Sequence, residues 1–311
     1  MFLFMNGRIL CLAGLLLGWS GSLRADEEPK AGYGVWPSSA TVKRRQAAQA
    51  IAQDTDPAQA GAKFLEMAKD KDAMTRALAA ESIGNLKFAP ARGKLEELLL
   101  GDPNEQVREA AAVSLRQIAD PAAVEALGKA LNDVSPNVRV TALSGIAFYR
   151  DTNARPLVEA ACKDKAAEVR RTAVYVLGRL DDPQAVPVVK GLLNDVDLGV
   201  RAGAAQTLGT LHAVDSKEAL TALLKDPEKP VQASAALSLA ILGDSSGTEA
   251  AKGLVQDPDI AVRLLAIDAL GWSKDPSAGR LLESLLTTSP ADTRAAVRGA
   301  LARHQQMRKQ P

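Results

Sequence analysis

The chain of 311 residues is poor in the side chains that most often do chemistry. It has two cysteines, Cys11 and Cys162, and two histidines, His212 and His304. Zinc and iron–sulfur centres need several such ligands close together, and these four are scattered, so neither centre is available. Aromatic residues make up 4%, which excludes a core built around large rings. With 38 basic and 37 acidic residues, the charge is balanced. That balance excludes a broad polybasic surface for nucleic acid or anionic membrane. There is no glycine-rich phosphate loop before a helix, no Gly-x-Ser-x-Gly elbow and no Cys-x-x-Cys. No catalytic residue, metal or cofactor is expected, and the chain reads as non-enzymatic.

The one long apolar run, Ile9 to Trp19, is too short to span a bilayer comfortably. Arg8 precedes it, and Leu23-Arg24-Ala25 follows as a small-residue cleavage site. Residues 1–25 therefore read as a secretory signal peptide, and the expected location is periplasmic or secreted. Cleavage leaves Cys162 as the single cysteine, with no intramolecular disulfide and no membrane span. Residues 26–40, with Pro29, Pro37, Tyr33 and Trp36, read as a linker.

The remainder is periodic. Arg108, Arg139, Arg170, Arg201, Arg263 and Arg294 recur at 31 residues or twice that, with Gln232 in the skipped place. Asp102, Asp133, Asp164, Asp195, Asp226 and Asp257 keep the same interval. A valine precedes each arginine from Arg108 to Arg263; an alanine stands three residues after, and an aliphatic residue seven after. Offsets of −1, +3 and +7 lie on one face of a helix. A shorter apolar helix precedes each of these. Asp-Pro pairs at 102–103, 226–227 and 257–258 are expected to start the longer helices, and those at 120–121, 182–183 and 275–276 the shorter ones. Self-similarity at such a period means a stack of two-helix units that bury their faces against one another.

The pattern Asp164–Val169–Arg170–Ala173–Leu177–Gly178 resembles the HEAT repeat. The short period is similar to the HEAT-like subfamily named after phycobilisome lyases. The resemblance implies an all-α, right-handed α-α superhelix of about eight repeats. It covers residues 56–304, with a capping helix at 41–55 and a tail at 305–311. It also implies that the second helix of each repeat lines the concave surface. Deoxyhypusine hydroxylases share the repeat but hold iron with His-Glu pairs; here His212 precedes Ala213 and His304 precedes Gln305. A tetrapyrrole-handling lyase relative and an envelope-anchored structural protein are the alternatives to a scaffold.

Each arginine is expected to pair with a recurrent aspartate. The ladder comprises Arg108, Arg139, Arg170, Arg201 and Arg263 with Asp102, Asp133, Asp164, Asp195 and Asp257. Positions +1, +5 and +9 after each arginine point away from the apolar stripe. There the sequence places Phe148, Tyr175, Arg179, Arg171 and Trp272, aromatic and arginine side chains of the kind that anchor protein interfaces. A protein partner, and no nucleic acid, is expected on that face. Cys162 and both histidines read as structural, the histidines at helix ends or on the surface.

Overall fold

A computed structural model describes residues 39–54 and 56–309. The expected signal peptide and nearly all of the expected linker lie outside the described residues. The described part holds seventeen α-helices and no strand. It forms two compact units, one reaching Leu180 and one beginning at Asp181.

In the first unit, α1 (Ser39–Asp54) caps four helix pairs. They are α2 (Pro57–Met67) with α3 (Ala73–Asn85), α4 (Arg92–Gly101) with α5 (Glu105–Ile118), α6 (Ala123–Ala130) with α7 (Pro136–Tyr149), and α8 (Arg155–Ala161) with α9 (Ala167–Leu180). Each short helix packs on its own long partner, and the long helices pack in series, α3 on α5, α5 on α7, α7 on α9. The second unit repeats the scheme. Its pairs are α10 (Val186–Gly191) with α11 (Leu198–Thr210), α12 (Lys217–Leu223) with α13 (Lys229–Ile241), α14 (Ser245–Leu254) with α15 (Ile260–Trp272), and α16 (Pro276–Thr288) with α17 (Ala291–Met307). Thus α1 starts two residues before the expected cap, and α17 runs three residues into the expected tail.

The periodic columns are the core. Val107, Val138 and Val169, Ala111, Ala142 and Ala173, and Leu115, Ile146 and Leu177 have no exposed surface. Val200, Val231 and Val262, with Leu208, Leu239 and Leu270, do the same in the second unit. Small residues set the helix spacing. A Cβ on Gly84 would stand 2.8 Å from the Cα of Ser114, and one on Gly271 would stand 2.9 Å from the Cα of Ala300. Backbones that close leave no room for rings, which is why so few aromatics suffice.

Two features depart from the sequence reading. The Asp-Pro pairs ahead of the long helices do not cap them: α5 is capped by Asn104 and α15 by Asp259, each accepting N–H bonds from the first turn. The aspartate two residues earlier closes a turn instead, as Asp102 does for the Asn104 N–H at 2.9 Å. Six of the long helices, α3, α5, α7, α9, α11 and α13, are followed, eleven residues after the arginine position, by a left-handed residue. The column reads Lys87, Ala119, Arg150, Asp181, His212 and Gly243, with glycine at the last alone.

Candidate functional site

The long helices of the first unit carry the exposed rings. On α7, Tyr149 turns inward, and its hydroxyl donates to the Leu115 carbonyl at 2.8 Å. Burial, helped by the charge of Asp120, pushes its phenol up to about 12. Its neighbour Phe148 is consequently rotated outward and is 51% exposed. The two rings meet edge to face at 5.3 Å. On α9, Val174 and Val176 are buried, and Tyr175 between them is 41% exposed. Arg171, one turn before Tyr175, is exposed, and Arg179, one turn after, is half-buried. The carbonyl of Arg179 accepts from Arg150 Nε at 3.2 Å, which joins the C-terminal ends of α7 and α9.

Elsewhere the +1, +5 and +9 columns are occupied differently. In the second unit Ala202, Ala233 and Leu237 are buried among helices. Gln206 Nε2 donates to Ser234 Oγ at 2.9 Å. Trp272, expected as a partner anchor, is half-buried against the core of Leu265, Leu282 and Val297. Arg303 lies over its ring at 5.0 Å and pairs with Asp268. The close fit of α15 to α17 draws these three residues into a packed cluster, so the Trp272 ring is less open than those of Phe148 and Tyr175.

The arginine column forms bridges between successive repeats. Arg76 Nε and Nη2 reach Asp102 at 2.6 and 2.8 Å. Arg108 holds Asp133 at the same distances, and its Nη1 donates to the Asp102 carbonyl at 2.9 Å. Arg139 holds Asp164, and Arg201 holds Asp226. Each guanidinium therefore grips the turn of its own repeat and the carboxylate of the next. Arg170 keeps the first half of this pattern, with Nη1 on the Asp164 carbonyl at 2.8 Å. Asp195 accepts the Asp197 N–H at 2.9 Å, as its counterparts do. Gln232 takes the arginine place in its repeat, and its Nε2 donates to the Asp226 carbonyl at 2.6 Å. Arg263 contacts Asp257 through its carbonyl and lies 3.8 Å from the carboxylate of Asp292.

Burial alone would push the carboxyls of Asp102, Asp133, Asp164 and Asp226 up. Hydrogen bonds from the arginines and the turn amides, with the arginine charge, overcome that and hold all four below the usual carboxylate range. The same pairing raises Arg76, Arg108 and Arg201 against a smaller opposing effect of burial. These arginines are committed to carboxylates and do not form a phosphate-binding stripe.

The remaining candidates are structural. Cys162 is 2% exposed, and burial pushes its thiol up to about 12. His212 is exposed, at the left-handed turn after α11. His304 lies in the last turn of α17, a helix end, and is 2% exposed. Its Nδ1 meets the Ser273 carbonyl at 2.7 Å, and Gly279 leaves the space its ring fills. Among the described residues no group of three or more His, Cys, Asp or Glu is arranged to hold a metal. None of their helices is long and apolar enough to cross a membrane.

These features are those of a repeat protein held together by close helix packing and arginine–aspartate bridges between repeats. The HEAT repeats profile matches residues 38–116, 61–147, 92–174, 124–209, 154–240 and 217–302, and the chain belongs to that family. Among solved structures it is similar to YibA of Escherichia coli, at 18% identity and a TM-score of 0.59, over 90% of this chain and 99% of that one. It is also similar to the complex of CpcE and CpcF of phycocyanin lyase from Nostoc sp. PCC7120, at 18% identity and a TM-score of 0.47, over 80% and 95%. No curated protein matches the chain.

Proposed function

We propose that this protein is an exported, non-catalytic HEAT-repeat scaffold. It binds a protein partner on the long-helix face of the unit that ends at Leu180. One observation carries the reading: Phe148 and Tyr175 stand exposed on adjacent repeats, whereas Ala202, Ala233, Leu237 and Trp272 in the same columns are packed away. Exposed rings on a rigid support are what a partner-binding surface requires. Export rests on the n-region, apolar run and cleavage site of residues 1–25.

Affinity capture from an extract of the source cells tests the binding. The unmodified chain should retain a discrete protein, and a Phe148→Ala, Tyr175→Ala double variant should lose it while keeping its helical circular dichroism. Equal capture by both would refute the face. Fractionation with intact mass tests export: the product should lack residues 1–25.

A further inference from the structure

We propose that the second unit contains a hinge between α13 and α15, on which α14 to α17 swing as one body against α10 to α13. Three separate features of the chain coincide at this junction.

The first is a missing bridge. Arg139 and Asp164, and likewise Arg201 and Asp226, stand 25 residues apart and tie the start of one long helix to the turn before the next. On the same count the residue before Asp257 is Gln232. Its Nε2 donates to the Asp226 carbonyl and its Oε1 accepts from Lys229 Nζ, both within its own repeat.

The second is the nature of the whole contact. Among the described residues no side-chain hydrogen bond or ion pair joins α12 and α13 to α14 and α15. Lys217 acts on Asp244 there through its charge alone. The junctions on either side are pinned. Between α11 and α13, Arg201 holds Asp226, Gln206 donates to Ser234 Oγ, and Ser238 Oγ donates to the Ala205 carbonyl. Beyond α15, Lys252 reaches Asp275, Arg303 pairs with Asp268, and His304 meets the Ser273 carbonyl. At the junction itself α13 offers Ala233, Ala236, Leu237 and Ala240, buried in one core with Leu265 and Ile267. Apolar contact of this kind is strong but non-directional, so it holds the helices together without fixing their angle.

The third is the turn. Gly243, with φ 73°, links α13 to α14 at the place held by Lys87, Ala119, Arg150, Asp181 and His212 elsewhere. Glycine alone moves freely in and out of that conformation. Beside it the two backbones touch: a Cβ on Gly247 would stand 2.4 Å from the Ala236 carbonyl oxygen and 2.7 Å from the Ala240 nitrogen. That contact lies on the C-terminal half of α13 and serves as the pivot. Gln232, in the first turn of α13, marks the edge that opens. The swing alters the curvature of the second unit and leaves every helix folded.

Double electron–electron resonance on the full chain tests this, with Cys11→Ser and buried Cys162 left in place. One nitroxide pair sits at Val196→Cys and Pro258→Cys, exposed turn positions two repeats apart across the hinge. The control pair sits at Pro103→Cys and Lys165→Cys, equally spaced and exposed, across the bridges of Arg108 and Arg139. The distance distribution of the first pair should be about twice as wide as that of the control. Gln232→Arg should remove the excess width, and adding Asp257→Asn should restore it. Gly243→Ala should narrow it too; Ala119, at φ 62°, shows that alanine is accepted in this turn. Equal widths for the two pairs would overturn the proposal. So would an excess width that neither Gln232→Arg nor Gly243→Ala reduces. If Gln232→Arg loses its helical circular dichroism, Gly243→Ala decides alone, and no narrowing there overturns the hinge.

Discussion

Arg139 and Asp164 lie 25 residues apart in sequence and meet through two parallel contacts of 2.7 Å, Nε to Oδ2 and Nη2 to Oδ1. The pair is 5% and 13% exposed, and Arg139 Nη1 also donates to the Asp133 carbonyl at 2.7 Å. One side chain thereby ties two consecutive turns. Removing it leaves a buried carboxylate without its cation. Arg139→Ala should therefore lose about 3–5 kcal/mol in urea denaturation. Arg139→Lys should recover part of that, because lysine restores charge without the planar fork. A loss below about 1 kcal/mol in Arg139→Ala would reduce the bridge to a surface ion pair.

The same carboxylates set an acid limit. Asp102, Asp133, Asp164 and Asp226 are held below the range in which an unfolded aspartate titrates, about 3.9. As pH falls, the unfolded chain takes up protons first. Stability from these groups is complete above about pH 5 and is lost as pH falls through the folded values. Melting temperature should hold from pH 7 to 5 and drop steeply below 4. Asp133→Asn should be less stable at pH 7 and show a shallower acid drop. A flat profile to pH 3 would contradict the bridges.

Gln232 interrupts the series. Its amide reproduces the contact to the Asp226 carbonyl at 2.6 Å, but it brings no charge to Asp257. Gln232→Arg should add the missing bridge and stabilise the chain by about 1 kcal/mol, measured by urea denaturation. The gain should vanish in a Gln232→Arg, Asp257→Asn double variant.

Two glycines separate packing from propensity. A methyl at Gly84 would meet the Ser114 backbone, so Gly84→Ala should force α3 from α5 and cost about 1–3 kcal/mol. Gly299 lies within α17 with nothing within 4 Å of an added Cβ. Gly299→Ala should stabilise by about 1 kcal/mol through helix propensity alone. Thermal melts of the two variants should move in opposite directions.

How much of this was legible in the sequence follows from where each feature is decided. The buried columns, such as Val138, Ala142 and Ile146, recur because every repeat offers them the same surroundings, so periodicity exposes them. The left-handed column was hidden because Lys87, Ala119, Arg150, Asp181 and His212 take a conformation that glycine usually signals. The role of Asp102 was misread because a cap and a turn-closing aspartate look alike beside proline. The surroundings of Trp272 are not legible in the sequence for another reason. A single helix wheel shows which way a residue points, but the approach of α17, with Arg303 and Asp268, decides whether that direction stays open. His304 is buried by the same approach, where Gly279 gives it room.

The most direct test of the account asks whether Phe148 and Tyr175 are spare to the fold. Urea denaturation of the Phe148→Ser, Tyr175→Ser double variant, run beside the unmodified chain, answers it. The account predicts stabilities within about 1 kcal/mol of each other, because exposed rings contribute little to folding. A loss of about 3 kcal/mol or more would place both rings in the packing and contradict a binding face built on them.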